Sequence, residues 1–236
     1  MKKSLRIRSP TGQSVRVGDA QDTNTPDRSS RWTLTWGGAA VALATVFPLL
    51  SSAGFVFPSI DVSWMYSAQP VLGGISAVLL IAGFIVLAVG LGGETGIAGP
   101  SVVGKSALIL FGVTHVASTG YLPVSAPGIG AGREVLAVWA TLIWGLVLLS
   151  LVALAVAAVV VFRAGVVRGL ARWALAALAV TTVLALLASQ VPSLDFISIW
   201  IGALILSQVL QLATGVLYLV EGQRASRGNG LRVASA

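Results

Sequence analysis

Apolar blocks recur along the chain between Trp36 and Val220, broken by short polar or Gly/Pro-rich gaps. They run over residues 36–57, 71–91, 102–121, 135–162, 173–191 and 196–220. A bilayer core about 30 Å thick needs roughly 20 apolar residues per helix. The blocks are continuous rather than alternating with period two, which disfavours a membrane β-barrel. In lipid the remaining way to satisfy the backbone is the α-helix. The pattern therefore predicts an all-α fold: a polytopic membrane helix bundle with six transmembrane helices. Pro48 falls inside the first block and predicts a kink. The fourth block would span about 42 Å at roughly 1.5 Å per residue, so tilt or a protruding end is expected.

The gaps alternate in charge. Lys2, Lys3, Arg6, Arg8, Arg16, Arg28 and Arg31 precede the first block. Lys105 follows the second gap, Arg163, Arg168 and Arg172 fill the fourth, and Arg224, Arg227 and Arg232 follow the last block. The opposite set of gaps holds Arg133 alone. The positive-inside rule then places both termini in the cytoplasm. Aromatic residues agree: Trp32, Trp36, Trp173 and Tyr218 fall near the inner ends, and Trp64, Tyr66, Tyr121, Trp139 and Trp200 near the outer ends. The domain plan is a disordered basic cytoplasmic tail over 1–31, a transmembrane domain over 32–221 and a short basic cytoplasmic tail over 222–236. The N-terminal tail is expected to meet anionic lipid headgroups. Ser51-Ser52-Ala53 has the small residues of a signal-peptide cleavage site, but 31 polar residues bearing Asp19, Asp22 and Asp27 precede the block, which argues against cleavage.

Composition sharpens this picture. Hydrophobic residues make up 56% of the chain and charged residues 10%, against about 25% charged in soluble domains. A net charge of +7 would otherwise suggest nucleic acid. Here the basic residues flank membrane segments on one side, so no nucleic-acid partner is expected. The absence of Cys excludes disulfides and thiolate chemistry. Arg outnumbers Lys, and Ala, Val and Gly dominate. That bias fits a GC-rich bacterial genome, and with it a multi-pass protein of the bacterial plasma membrane.

Gly99-Pro100-Ser101-Val102-Val103-Gly104-Lys105-Ser106 matches the phosphate-binding pattern G-x-x-x-x-G-K-S. That motif needs a strand before the loop, and membrane blocks flank this one. A tight turn ending in an interfacial Lys is the expectation. His115 is the sole His, inside the third block, with Ser118 and Thr119 on its face. An intramembrane ionisable residue is a functional hypothesis by default. Ser207, Gln211 and Thr214 follow i, i+4, i+7 in the last block, with Gln208 adjacent. This polar stripe either hydrogen-bonds between helices or lines a solute pathway. Ala40 and Ala44, and Ala153 and Ala157, are candidate helix-packing positions.

Catalysis is poorly supplied. Asp61, Glu94, Glu134 and Asp195 all lie in or beside loops. No H-E-x-x-H, G-x-S-x-G or paired intramembrane carboxylate occurs, so no catalytic residue, metal site or cofactor is expected. No motif identifies a family. The leading expectation is a non-enzymatic accessory or interaction subunit, with partner membrane subunits alongside the lipid bilayer. The alternative is a small-solute transporter, or a transporter's membrane subunit, using His115 and the stripe. An enzyme acting on lipid at a loop-facing site ranks third.

Overall fold

The computed structural model describes residues 31–56, 63–119, 132–167, 169–188 and 196–233. The polar segment 1–30, the Pro/Gly loop at 123–128, and Asp61 and Asp195 lie outside the described residues. Six α-helices follow in order: α1 Arg31–Val56, α2 Ser63–Val89, α3 Val102–Ser118, α4 Arg133–Ala164, α5 Ala171–Ala188 and α6 Phe196–Val233. Four are long and apolar enough to cross a membrane: α1, α2, α4 and α6. The other two, α3 with 17 residues and α5 with 18, are shorter and apolar.

Among the described residues the helices form a closed ring. Each packs against its neighbours in sequence, and α6 returns to pack against α1. No helix packs its backbone against one further round. Neighbours run antiparallel, as the paired ends show: the start of α1 meets the end of α2, and the end of α4 meets the start of α5. Helices α3 and α6 therefore stand opposite each other.

Glycines set the tightest contacts. A Cβ on Gly38 would lie 2.6 Å from both the Gly215 carbonyl oxygen of α6 and the Leu219 amide nitrogen. A Cβ on the adjacent Gly37 would lie 2.7 Å from the Leu87 side chain of α2. Consecutive helical residues point about 100° apart, so this pair serves two partners at once. In lipid, close backbone approach brings the van der Waals contact that drives helix association. Of the alanines singled out above, Ala44, Ala153 and Ala157 are buried and Ala40 is half-buried, its Cβ turned toward Gly83 of α2.

Several element boundaries differ from the sequence expectation. Helix α2 starts at Ser63, so Trp64 and Tyr66 belong to its first turns and Pro70 lies inside it. A proline removes one hydrogen bond, and membrane helices tolerate that loss when neighbours support them. Helix α4 is 32 residues long, about 48 Å at roughly 1.5 Å per residue. Helix α6 continues through the basic C-terminal segment to Val233.

Tyr218 also departs from expectation. It is fully buried rather than part of an interfacial belt. The side-chain-free Gly38 makes room for it, its Cβ lying 3.0 Å from where a Gly38 Cβ would stand. Trp32, Trp36, Trp64 and Trp173 remain exposed near helix ends, as amphipathic interfacial residues do.

Candidate intramembrane polar cavity

Helices α3, α4, α5 and α6 line a partly open cavity of about 110 Å³. Its polar lining is His115, Ser118 and Thr119 from α3, Ser150 from α4, Thr182 from α5 and Ser207 from α6. Phe111, Leu154 and Leu178 supply apolar wall. Among the described residues no Asp, Glu, Lys or Arg lines it. The His115 ring stacks obliquely on Phe111 at 5.2 Å between centroids, and Phe111 in turn meets Phe84 of α2 edge-on at 4.9 Å. This aromatic row holds the imidazole in place from the α2 side.

The hydroxyls of the lining are oriented by their own helices. Ser118 Oγ donates to the His115 carbonyl at 3.1 Å, and Thr119 Oγ1 donates to the same oxygen at 2.6 Å. Thr182 Oγ1 donates to the Leu178 carbonyl at 2.8 Å. Such back-bonding satisfies the proton in an apolar setting. It leaves the hydroxyl oxygens with acceptor capacity.

Gln211 lies one turn from Ser207 on the same face of α6. It is 1% exposed, and its carboxamide lies beside the His115 imidazole. The two side chains come from opposite helices and meet across the ring. Apart from that contact with His115, neither Oε1 nor Nε2 of Gln211 reaches a hydrogen-bond partner. Thr214 is buried and donates to the Leu210 carbonyl at 2.7 Å. Gln208 is half-buried, and its Oε1 is enclosed without a partner.

The structure thus brings His115, Ser118, Thr119 and Ser207 to one cavity and sets Gln211 beside it, while Thr214 and Gln208 lie apart from the lining. Sequence reasoning missed Ser150 and Thr182. Ser150 is a lone hydroxyl in the apolar stretch from Val147 to Val161. That isolation was the available signal.

The phosphate-loop match has no phosphate-loop geometry. Gly99 to Ser106 joins α2 to α3, with no strand before it. Its amides are already engaged: Gly99 N donates to the Gly96 carbonyl at 2.9 Å and Gly104 N to the Ser101 hydroxyl at 3.2 Å. Ser101 is the N-cap of α3. Gly104 packs against Val160 of α4, which leaves no room over the loop there.

No family model, curated protein or solved structure matches the chain. The cavity must therefore be read from its own chemistry. Among the described residues it has no charged pair for proton transfer, and no group of three His, Cys, Asp or Glu converges to hold a metal. What it offers is a set of fixed, uncharged hydrogen-bonding groups inside a membrane bundle.

Proposed function

We propose that this multi-pass protein takes a small polar solute into the cavity between α3 and α6, as a transporter or the membrane subunit of one, in the bacterial cytoplasmic membrane. The observation that carries the reading is Gln211. A buried amide with no partner costs about 1–3 kcal/mol, and native proteins hold few such groups. A carboxamide whose one polar neighbour is His115 keeps hydrogen-bonding capacity beside the cavity for a ligand. His115, opposite it, supplies a second polar group to the same space.

The test is solute entry into vesicles. Purified full-length protein in liposomes should accelerate the osmotic response to at least one solute from a panel of small neutral molecules and salts. Gln211→Leu should remove that acceleration while the protein still elutes as a single folded species. Flux equal to empty vesicles for every solute in the panel would end this reading.

A second reading, the accessory subunit, is favoured by the N-terminal end of α4. Residues Gly132 to Val138 are all exposed, on every side of the helix. A helix uncovered all round by its own chain offers a surface for another membrane subunit. Gentle extraction from native membranes should then yield a stoichiometric complex that dissociates when Val138 and Leu142 are changed to polar residues.

A further inference from the structure

The cavity's hydrogen-bonding polarity, not only its presence, is readable. Resting on the solute-binding reading above, we infer that its solute is uncharged, rich in hydrogen-bond donors, and of the amide or polyol class. Three observations converge. First, the hydroxyls of Ser118, Thr119 and Thr182 spend their protons on carbonyls of their own helices. Toward the cavity they present oxygen lone pairs, so these groups accept and do not donate. A solute meeting them must bring N–H or O–H groups. Second, Gln211 is 1% exposed, and its carboxamide, beside the cavity, has only His115 as a polar neighbour. It adds an acceptor and a donor, which suits a solute carrying both kinds of group. Third, among the described residues no carboxylate, ammonium or guanidinium lines the space. An ion would enter without a counter-charge, and burying an unpaired charge is far costlier than burying a hydrogen-bonded neutral group.

Size narrows the class. A volume of about 110 Å³ is of the order of the roughly 150 Å³ cavity that takes up benzene. Urea, formamide and glycerol are of that scale. The apolar wall from Phe111, Leu154 and Leu178 gives the solute's carbon face somewhere to lie.

Stopped-flow light scattering on proteoliposomes of the full chain tests this directly. Urea, formamide and glycerol are compared with potassium chloride, ammonium chloride and sodium formate, each against empty vesicles. The expected result is protein-dependent entry of at least one of the neutral three, with none for the salts. Thr182→Val removes one acceptor oxygen at nearly constant volume. It should lower neutral-solute entry about three- to tenfold, the range for one hydrogen bond, with thermal stability retained. Faster entry of any salt than of every neutral solute would overturn the inference while leaving the solute-binding reading intact. Unchanged neutral-solute entry in Thr182→Val would overturn the donor-rich assignment alone. Absence of entry for all six would remove both.

Discussion

Glu94, in the loop after α2, accepts two hydrogen bonds from Thr33 at the start of α1. Its Oε2 takes the Thr33 amide at 2.8 Å and the Thr33 hydroxyl at 2.6 Å. Its Oε1 takes the Trp32 amide at 3.2 Å. Thr33 Oγ1 in turn accepts from the Leu91 amide at 2.9 Å. A carboxylate at a helix N-terminus satisfies orphan amides and complements the helix dipole. Here the cap comes from beyond the end of a second helix, so it also locks the start of α1 to the end of α2.

Removing that lock should loosen the ring. Glu94→Ala is expected to cost about 1–2 kcal/mol, the range for a lost cap with charged hydrogen bonds. Glu94→Gln, which keeps one acceptor oxygen, should fall between. Thermal unfolding in detergent measures both. An alanine variant as stable as the parent would show that the clasp contributes nothing.

The glycine seam gives a contrast between two helical glycines. Gly38→Ala would bring a methyl group 2.6 Å from backbone atoms of α6, and backbone cannot rotate away. The helices must separate, and a loss of about 1–3 kcal/mol is expected from overpacking. Gly145→Ala in α4 meets nothing within 4 Å. It should be neutral or gain up to about 1 kcal/mol from helix propensity. Equal effects for the two substitutions would mean the α1–α6 approach is not tight in the membrane.

What the sequence makes legible follows from the solvent. Lipid demands long apolar helices, so their existence and order can be read directly. The i, i+4, i+7 spacing puts Ser207, Gln211 and Thr214 on one face by helix geometry alone. The start of α2 cannot be read, because Pro70 looks like a boundary and is a tolerated interruption. Tyr218 misleads because tyrosine near a helix end is ordinarily interfacial, and only the distant Gly38 makes room to bury it. The Glu94 clasp joins residues 61 apart, which no local spacing encodes. Closure of the ring by α6 on α1, and hence the meeting of His115 with Gln211, is tertiary information of the same kind.

Orientation in the membrane has its own test. The chain has no cysteine, so single-cysteine variants carry one reactive site each. Glu134 at the start of α4 and Ala225 toward the end of α6 are both exposed. The basic residues put Glu134 outside and Ala225 inside. In intact cells an impermeant maleimide should label Glu134→Cys and spare Ala225→Cys until the membrane is opened. Labelling of Ala225→Cys in intact cells would invert or break the topology.

The last prediction separates stability from activity at Gln211. If this residue served the fold, replacing it would hurt the fold. Its two polar atoms have no partner besides the His115 imidazole, so Gln211→Leu removes buried groups whose desolvation little offsets. Leucine is of similar size, and swapping an unpaired buried polar group for an apolar one is neutral or stabilising. The variant should therefore melt at the same temperature as the parent or above it, by up to about 2 kcal/mol of added stability. The neighbouring His115 loses a polar neighbour in the exchange, which limits the gain. Solute entry, in contrast, should fall to the level of empty vesicles. A variant that unfolds would show that Gln211 holds the ring together, and a stable variant with undiminished entry would show that the solute never meets it.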